Sequence, residues 1–406
     1  MQFNLNIDSF IQEHVTFRKE SLLKKDLEKY NTILNSRIHN KSVLVIGGAG
    51  TIGSSYIKAI LKFKIRKLVV VDINENGLTE LVRDLRSSTE NNIPDEFITY
   101  PVNFGDRVFE KIFQHHGPFE IVANFAAHKH VRSEKDIYSI EAMVENNVLR
   151  ARKLLDLLLR FPPEHFFCVS TDKAANPVNI MGASKKLMEE LIMTYADRLP
   201  IKTARFANVA FSNGSLPLGF IERLNKKQPW SCPLGIRRFF VSPQESGELC
   251  LIASIMGESG DIFFPKLDED RDMIPFDQIV KSLLKSIDLK PDICQSEEEA
   301  KHKATLLNDN STTYPVYFFG SDTSGEKAFE EFYTNKEVLD NDSFINLGVV
   351  KNSKKRNISE IDVIFTQLHN LFESRNITKA AIVDVLKVYL PNFDHIETGK
   401  QLDSKM

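Results

Sequence analysis

The chain has 406 residues, 42% hydrophobic and 26% charged, a balance typical of a soluble globular protein and a length that suits two lobes with flanking segments. A formal net charge of -3 offers no overall basic field to a nucleic-acid backbone, and no stretch approaches the ~20 apolar residues that span a bilayer. Cys168, Cys232, Cys250 and Cys294 lie far apart with neither CxxC nor Cys/His spacing, which argues against a metal site and a disulfide framework. A cytoplasmic protein with reduced thiols and no membrane or nucleic-acid partner is expected.

Residues 1–40 are predicted as a helical N-terminal extension. Ser9 and Gln12 have capping-box spacing, and Leu23, Leu27, Tyr30 and Leu34 recur at helical intervals. From Lys41, short β-rich runs at 43–46, 68–71, 97–102, 121–125, 166–170 and 203–207 alternate with helical stretches. This alternation predicts βαβ units, and so an α/β fold: a doubly wound parallel Rossmann sheet over 41–215 that binds ligands at the carboxyl ends of its strands.

The first run leads directly into Gly47-Gly48-Ala49-Gly50-Thr51-Ile52-Gly53. Glycines at 47, 50 and 53 suit a tight turn, close approach to a pyrophosphate and close helix packing, with helix N–H groups facing the phosphates. Asp72 closes the second run nineteen residues after Gly53. Its carboxylate suits two ribose hydroxyls and repels a 2′-phosphate, so NAD is favoured over NADP. Asn103 and Phe104 end the third run as candidates for the adenine side. Ala126 and Ala127, after the fourth run, are small enough for a dinucleotide to lie against their backbone.

The fifth run delivers Thr171, Asp172 and Lys173 to the same edge, and a helix starting near Asn179 sets Met181 and Lys185 four residues apart on one face. After Asn213 the alternation is broken by Pro217, Pro229, Pro233, Pro265 and Pro275. Residues 216–350 are therefore predicted as a smaller mixed α/β substrate lobe, with the polar stretch 295–313 as a long surface loop. Residues 351–406 form a helical C-terminal extension. One helix carries a stripe of Ile361, Ile364, Phe365, Leu368, Leu371 and Phe372, and a second begins at Thr378 and ends before Pro391.

With these residues in place, the chain from 41 to about 350 resembles the extended short-chain dehydrogenase/reductase superfamily. Within it, the likeness is to UDP-N-acetylglucosamine 4,6-dehydratases of the capsule and flagellin-glycan type. It rests on GGAGTIG, NFAAHKHV, VSTDKAANPVNIMGASK, RFANVAFSNGS, RRFF and SGEK, in that order. The resemblance implies NAD as cofactor, a UDP-sugar as substrate, and a homodimer or higher homo-oligomer. The dimer contact would be made by the helix carrying Met181 and its neighbour near Val148 to Leu159.

Members of the superfamily use Tyr-x-x-x-Lys, and Met181 stands where the tyrosine would be. Lys185 keeps the ribose-holding role, while the proton of the sugar's 4-hydroxyl passes by a Thr171 relay or directly to Asp172. The resemblance further implies Lys173 as the base at carbon 5, Asp172 as the acid for the departing 6-hydroxyl, and retained configuration at carbon 5. Lys129, His130, Asn208, Ser215, Arg238 and Lys327 fall in segments resembling nucleotide-sugar contacts. Asn213 and Thr323 replace arginines common in relatives, which lessens positive charge near the diphosphate or nucleobase. A carbon-5-inverting dehydratase, a UDP-sugar 4-epimerase and a non-catalytic NAD-sensing protein are the competing readings.

Overall fold

The computed structural model describes residues 5–320, 331–351, 353 and 355–397. The chain begins with α1 (Ile7–His14) and α2 (Lys24–Ile38). It continues through β1 (Ser42–Ile46), α3 (Thr51–Ile60), β2 (Lys67–Val71), α4 (Glu75–Ser87), β3 (Glu96–Tyr100), α5 (Arg107–His116) and β4 (Ile121–Asn124). Next come α6 (Ile137–Val144), α7 (Arg150–Arg160), β5 (His165–Val169), α8 (Ile180–Met193) and β6 (Ile201–Ala204).

The second half carries β7 (Asn208–Val209), α9 (Leu216–Asn225), β8 (Trp230–Leu234), β9 (Arg237–Val241), α10 (Pro243–Met256) and β10 (Asp261–Pro265). Then follow α11 (Glu269–Asp272), β11 (Met273–Pro275), α12 (Phe276–Ser286), β12 (Lys290–Cys294), α13 (Glu297–Ala304), β13 (Thr313–Gly320), β14 (Val338–Asp340) and β15 (Leu347–Lys351). The last helices are α14 (Ile358–Phe372) and α15 (Lys379–Tyr389).

Seven strands form a parallel sheet in the order β3-β2-β1-β4-β5-β6-β10, and β15 and β14 extend it antiparallel beyond β10. The central strands read as unbroken apolar runs because both faces are covered: β1 is SVLVI, buried throughout. The order reverses between β1 and β4, which opens a crevice at their carboxyl ends. The chain is thus a doubly wound α/β protein. One sheet face packs on α3, α4 and α10, and the other on α5, α6, α7 and α8. A third core unites α1 with α9, α12, β8 and β13.

Several expectations are corrected. Asn6, not Ser9, caps α1: its side chain accepts the Ser9 N–H, so the Ser9/Gln12 spacing lies inside the helix. Residues 295–313 are not a plain loop, because Ser296 caps α13 and three glutamates favour its first turn. The boundary at 215/216 does not divide the sheet, since α10, β10, β14 and β15 return to the large sheet and its core. Among the described residues, the smaller lobe comprises α9, α11 to α13 and the two three-stranded sheets, β11-β9-β7 and β12-β13-β8, with α1 packed into its core.

Arg205, just after β6, is completely buried and pairs with Glu189 of α8 at 2.9 Å and with Glu337 at 2.8 Å. It thereby joins the sheet, α8 and the segment leading into β14. Removing one partner of a buried pair strands the other charge. Arg205→Met is therefore expected to lower unfolding stability by about 3–5 kcal/mol, measured as a drop in the urea midpoint.

Candidate active site

The site starts at the turn after β1. Gly47 adopts φ +76°, and a Cβ there would lie 2.5 Å from the Ala126 nitrogen, so both conformation and space require glycine. At Gly53 a Cβ would meet the Gly47 oxygen at 2.3 Å, which explains the close seating of α3. Gly50 differs: its Cβ would have only the Gly47 oxygen at 3.5 Å within reach, an ordinary contact. Packing does not demand glycine at 50, where bare backbone forms the cavity wall at the α3 N-terminus. This is where a pyrophosphate needs N–H groups and room.

Asp72 holds this turn in shape. One carboxylate oxygen accepts the Ala49 N–H and the other the Asn74 N–H, both at 2.9 Å. Each oxygen retains a second lone pair for a ribose hydroxyl. Ala126 and Ala127 line the same cavity, and the Ala126 N–H is fixed by the Asn124 side chain at 3.0 Å. Asn103 and Phe104 border it from the end of β3, with Asn103 bonded to the Gly105 N–H at 2.9 Å. Thr51 and Ile52 complete this half.

The chemical half stands opposite. After β5, Asp172 to Ala174 make one 3-10 turn. Asp172 is buried, and its Oδ1 receives three donors: Thr171 Oγ1 at 2.8 Å, the Lys173 N–H at 2.9 Å and Lys173 Nζ at 3.1 Å. Met181 and Lys185 face the same cavity from α8. Lys185 Nζ donates to the Val169 carbonyl at 2.6 Å, and burial pushes its pKa down. Gly182 lets α8 come this close, because a Cβ there would meet the Lys173 carbonyl at 2.7 Å.

Two residues missed by the sequence reading organise the site. Between α6 and α7, residues Glu145–Leu149 form a π-turn, a distortion common at functional sites. It buries Asn147, which bonds the backbone of His128 in both directions (2.9 and 3.0 Å) and reaches Ser184 of α8 at 3.1 Å. Its neighbour Asn146 lines the cavity. The available signal was a pair of adjacent asparagines within an otherwise helical, apolar stretch. Glu134, which accepts the Met181 N–H at 2.9 Å, carried no comparable signal.

Among the expected substrate contacts, Lys129, His130, Asn208 and Ser215 line the cavity. Lys129 Nζ donates to the Asn213 carbonyl at 2.8 Å, and burial lowers the pKa of both Lys129 and His130. Ser215 also caps α9. Arg238 is not brought to the wall: it lies buried on β9 and donates to the Arg237 carbonyl at 2.9 Å. Arg238 pairs with Ile274 of β11, whereas Asn208 of β7, which pairs with Phe240 farther along β9, lines the cavity. Lys327 and Thr323 lie outside the described residues.

The cavity measures about 670 Å³, large enough for the reacting parts of a cofactor and a substrate together. Among the described residues, no cluster of three His, Cys, Asp or Glu side chains is placed to hold a metal, and no helix is long and apolar enough to cross a membrane.

A family model described as polysaccharide biosynthesis protein matches residues 43–352. The chain belongs to this family. It is 28% identical to an uncharacterized membrane protein of Methanocaldococcus jannaschii over 77% of this chain and 86% of that one. The capsular polysaccharide biosynthesis protein CapD of Staphylococcus aureus is 27% identical over 89% of this chain, which spans only 56% of that longer relative. A UDP-glucose 4-epimerase of Rickettsia massiliae is 27% identical over 81% of this chain and 96% of its own length. Among solved structures, Pen from Bacillus thuringiensis superposes with a TM-score of 0.62 at 20% identity, covering 79% of this chain and 90% of that one. These matches place the chain among polysaccharide-biosynthesis relatives on a shared Rossmann-type fold.

The crowding at Gly182 gives a direct test. Alanine would gain about 1 kcal/mol in helix propensity, whereas overpacking against a backbone carbonyl that cannot rotate away costs about 1–3 kcal/mol. Gly182→Ala is therefore expected to lower the thermal midpoint, whereas a substitution chosen on propensity alone would raise it.

Proposed function

We propose that the chain is an NAD-dependent UDP-N-acetylglucosamine 4,6-dehydratase of the cytoplasm that retains configuration at carbon 5. The observation that carries this reading is the Thr171-Asp172-Lys173 cluster, an acid and a base on the wall of the cavity that Met181 also lines. The family match and the bare backbone at Gly50 support it.

Asp72 would hold the adenosine ribose, the α3 N-terminus the pyrophosphate, and Lys185 the nicotinamide ribose. NAD, when bound, supplies a hydride acceptor that is restored within each turnover. Met181 has no exchangeable proton, so proton handling falls to the cluster. Thr171 donates to Asp172 Oδ1 and can accept from the sugar's 4-hydroxyl, which gives a two-step relay into the carboxylate. Asp172 then holds the proton that the departing 6-hydroxyl needs to leave as water.

Neutralising Asp172 also removes the negative charge 3.1 Å from Lys173 Nζ, and with it the attraction that favours an ammonium there. As a free amine, Lys173 takes the carbon-5 proton made acidic by the 4-ketone. Delivery of a proton from the same ammonium, whose N–H positions exchange with solvent, to the same face retains configuration.

The similarity to a UDP-glucose 4-epimerase favours a second reading, 4-epimerisation of a UDP-sugar. That reaction eliminates no water and leaves Lys173 without a role. Incubation with UDP-N-acetylglucosamine in deuterium oxide, followed by NMR, separates the two. The dehydratase reading expects a 4-keto-6-deoxy product with deuterium at carbon 5, and a hexose epimer without deuterium would replace it by the second reading. Asp172→Asn and Lys173→Met are expected to keep the wild-type thermal midpoint and lose about 10²–10⁴-fold in kcat. Full turnover in either variant would remove that residue from the mechanism.

A further inference from the structure

The family match stops at residue 352, yet the chain continues through α14, α15 and a strap up to residue 397. This extension packs against the catalytic side of the fold. Ile364, Leu368 and Leu386 are buried in the same core as Leu158 of α7 and Leu191 of α8. Arg152 of α7 pairs with Asp362 of α14 at 3.0 Å, and Arg356 pairs with Glu190 of α8. The α7/α8 face expected to meet a second copy therefore carries the chain's own helices, and twelve of the fourteen α8 residues are buried.

Beyond α15, the Asp394 N–H donates to the Pro177 carbonyl at 3.2 Å and the Ile396 N–H to the Val178 carbonyl at 3.0 Å. The strap thus runs along the loop that joins the Asp172–Ala174 turn to α8. Between these bonds, the buried His395 ring rests against Glu134, with Nε2 3.8 Å from Glu134 Oε2, beyond hydrogen-bond reach and without a hydrogen-bond partner among the described residues. The other Glu134 oxygen accepts the Met181 N–H at 2.9 Å, while Asn179 Oδ1 accepts the Gly182 N–H at 2.7 Å. Two side-chain acceptors therefore hold the first turn of α8, where N–H groups have no partner within the helix and a carboxylate suits the helix dipole.

We propose that Glu134 and His395 are positioning residues for the site. Glu134 fixes the first turn of the helix that presents Met181 and Lys185, and the C-terminal strap backs Glu134 by packing the His395 ring against its carboxylate, without a hydrogen bond between them. The catalytic part of this inference rests on the function proposed above. The mechanical part does not: it concerns one backbone N–H and its acceptor. A carboxylate held at 6% exposure and backed by an imidazole has little freedom to move, so the register of α8 against Asp172 and Lys173 is set from outside the catalytic loop.

The test compares Glu134→Ala, Glu134→Gln and His395→Ala in the full chain. Hydrogen exchange of the Met181 amide, read by mass spectrometry with fragmentation, is expected to quicken at least about tenfold in Glu134→Ala, as expected for loss of a bond to a charged acceptor. It should stay near wild type in Glu134→Gln, whose amide oxygen still accepts, and be intermediate in His395→Ala. With sugar substrate, kcat should fall about 10- to 100-fold in Glu134→Ala with KM little changed, and return in Glu134→Gln.

Unchanged Met181 exchange in Glu134→Ala overturns the proposal, as does equal loss of kcat in the alanine and glutamine variants. If Glu134→Ala does not fold, His395→Ala decides: wild-type exchange together with wild-type kcat overturns the role of the strap. A wild-type chain that turns over no UDP-sugar would sink the dehydratase reading but leave the exchange result standing.

Discussion

At Gly47 two stretches of backbone approach more closely than any side chain permits. The turn after β1 lies against the end of β4, with the Ala126 nitrogen only 2.5 Å from where a Cβ would be, and the positive φ turns the chain toward α3. This contact sits at the point where strand order reverses, so it forms the floor of the crevice. Asp72 then ties the glycine turn to β2 through the Ala49 N–H. Because β4, β5 and β6 continue in parallel from that floor, the residues that follow β5 emerge on the same edge. Thr171, Asp172 and Lys173 reach the cavity for the same topological reason that the glycines do.

The wall beside the Asp172–Ala174 turn depends on α8, an unusual helix in being buried nearly all round while carrying several polar groups. Each of these groups has a partner. Glu189 meets Arg205 and Ser170, Ser184 meets Asn147, Lys185 meets the Val169 carbonyl, and the Met181 N–H meets Glu134. Buried polar groups that all find partners specify a single placement, since a shift would leave several unsatisfied at once. The helix is thus held as a rigid plate. This is compatible with methionine at 181, where the proposed mechanism asks the side chain for a shape and assigns the proton chemistry to the adjoining turn.

Much of the sheet was legible in the sequence. The predicted runs at 43–46, 68–71, 121–125 and 166–170 lie within a residue of β1, β2, β4 and β5, because strands buried on both faces must be continuous apolar runs. Asn179 and Thr378 were legible as helix starts from their own capping chemistry. Ser9 misled because Asn6, three residues earlier, takes its N–H. The division at 215/216 misled because β10, β14 and β15 rejoin a sheet from which they are far removed in sequence.

The glycine stereochemistry, the strand periodicity and the Thr171-Asp172-Lys173 triplet were readable because each is a property of a few neighbouring residues. They were enough to indicate the fold class and the edge that carries the site. Folding alone joins Glu134, Asn147 and Arg205 to α8 and brings His395 beside Glu134. Those contacts span from 16 to about 260 positions, and the value of each side chain lies in the partner it meets rather than in its local pattern. Local conformation is written along the chain, whereas satisfaction of buried polar groups is settled only when distant segments are brought together.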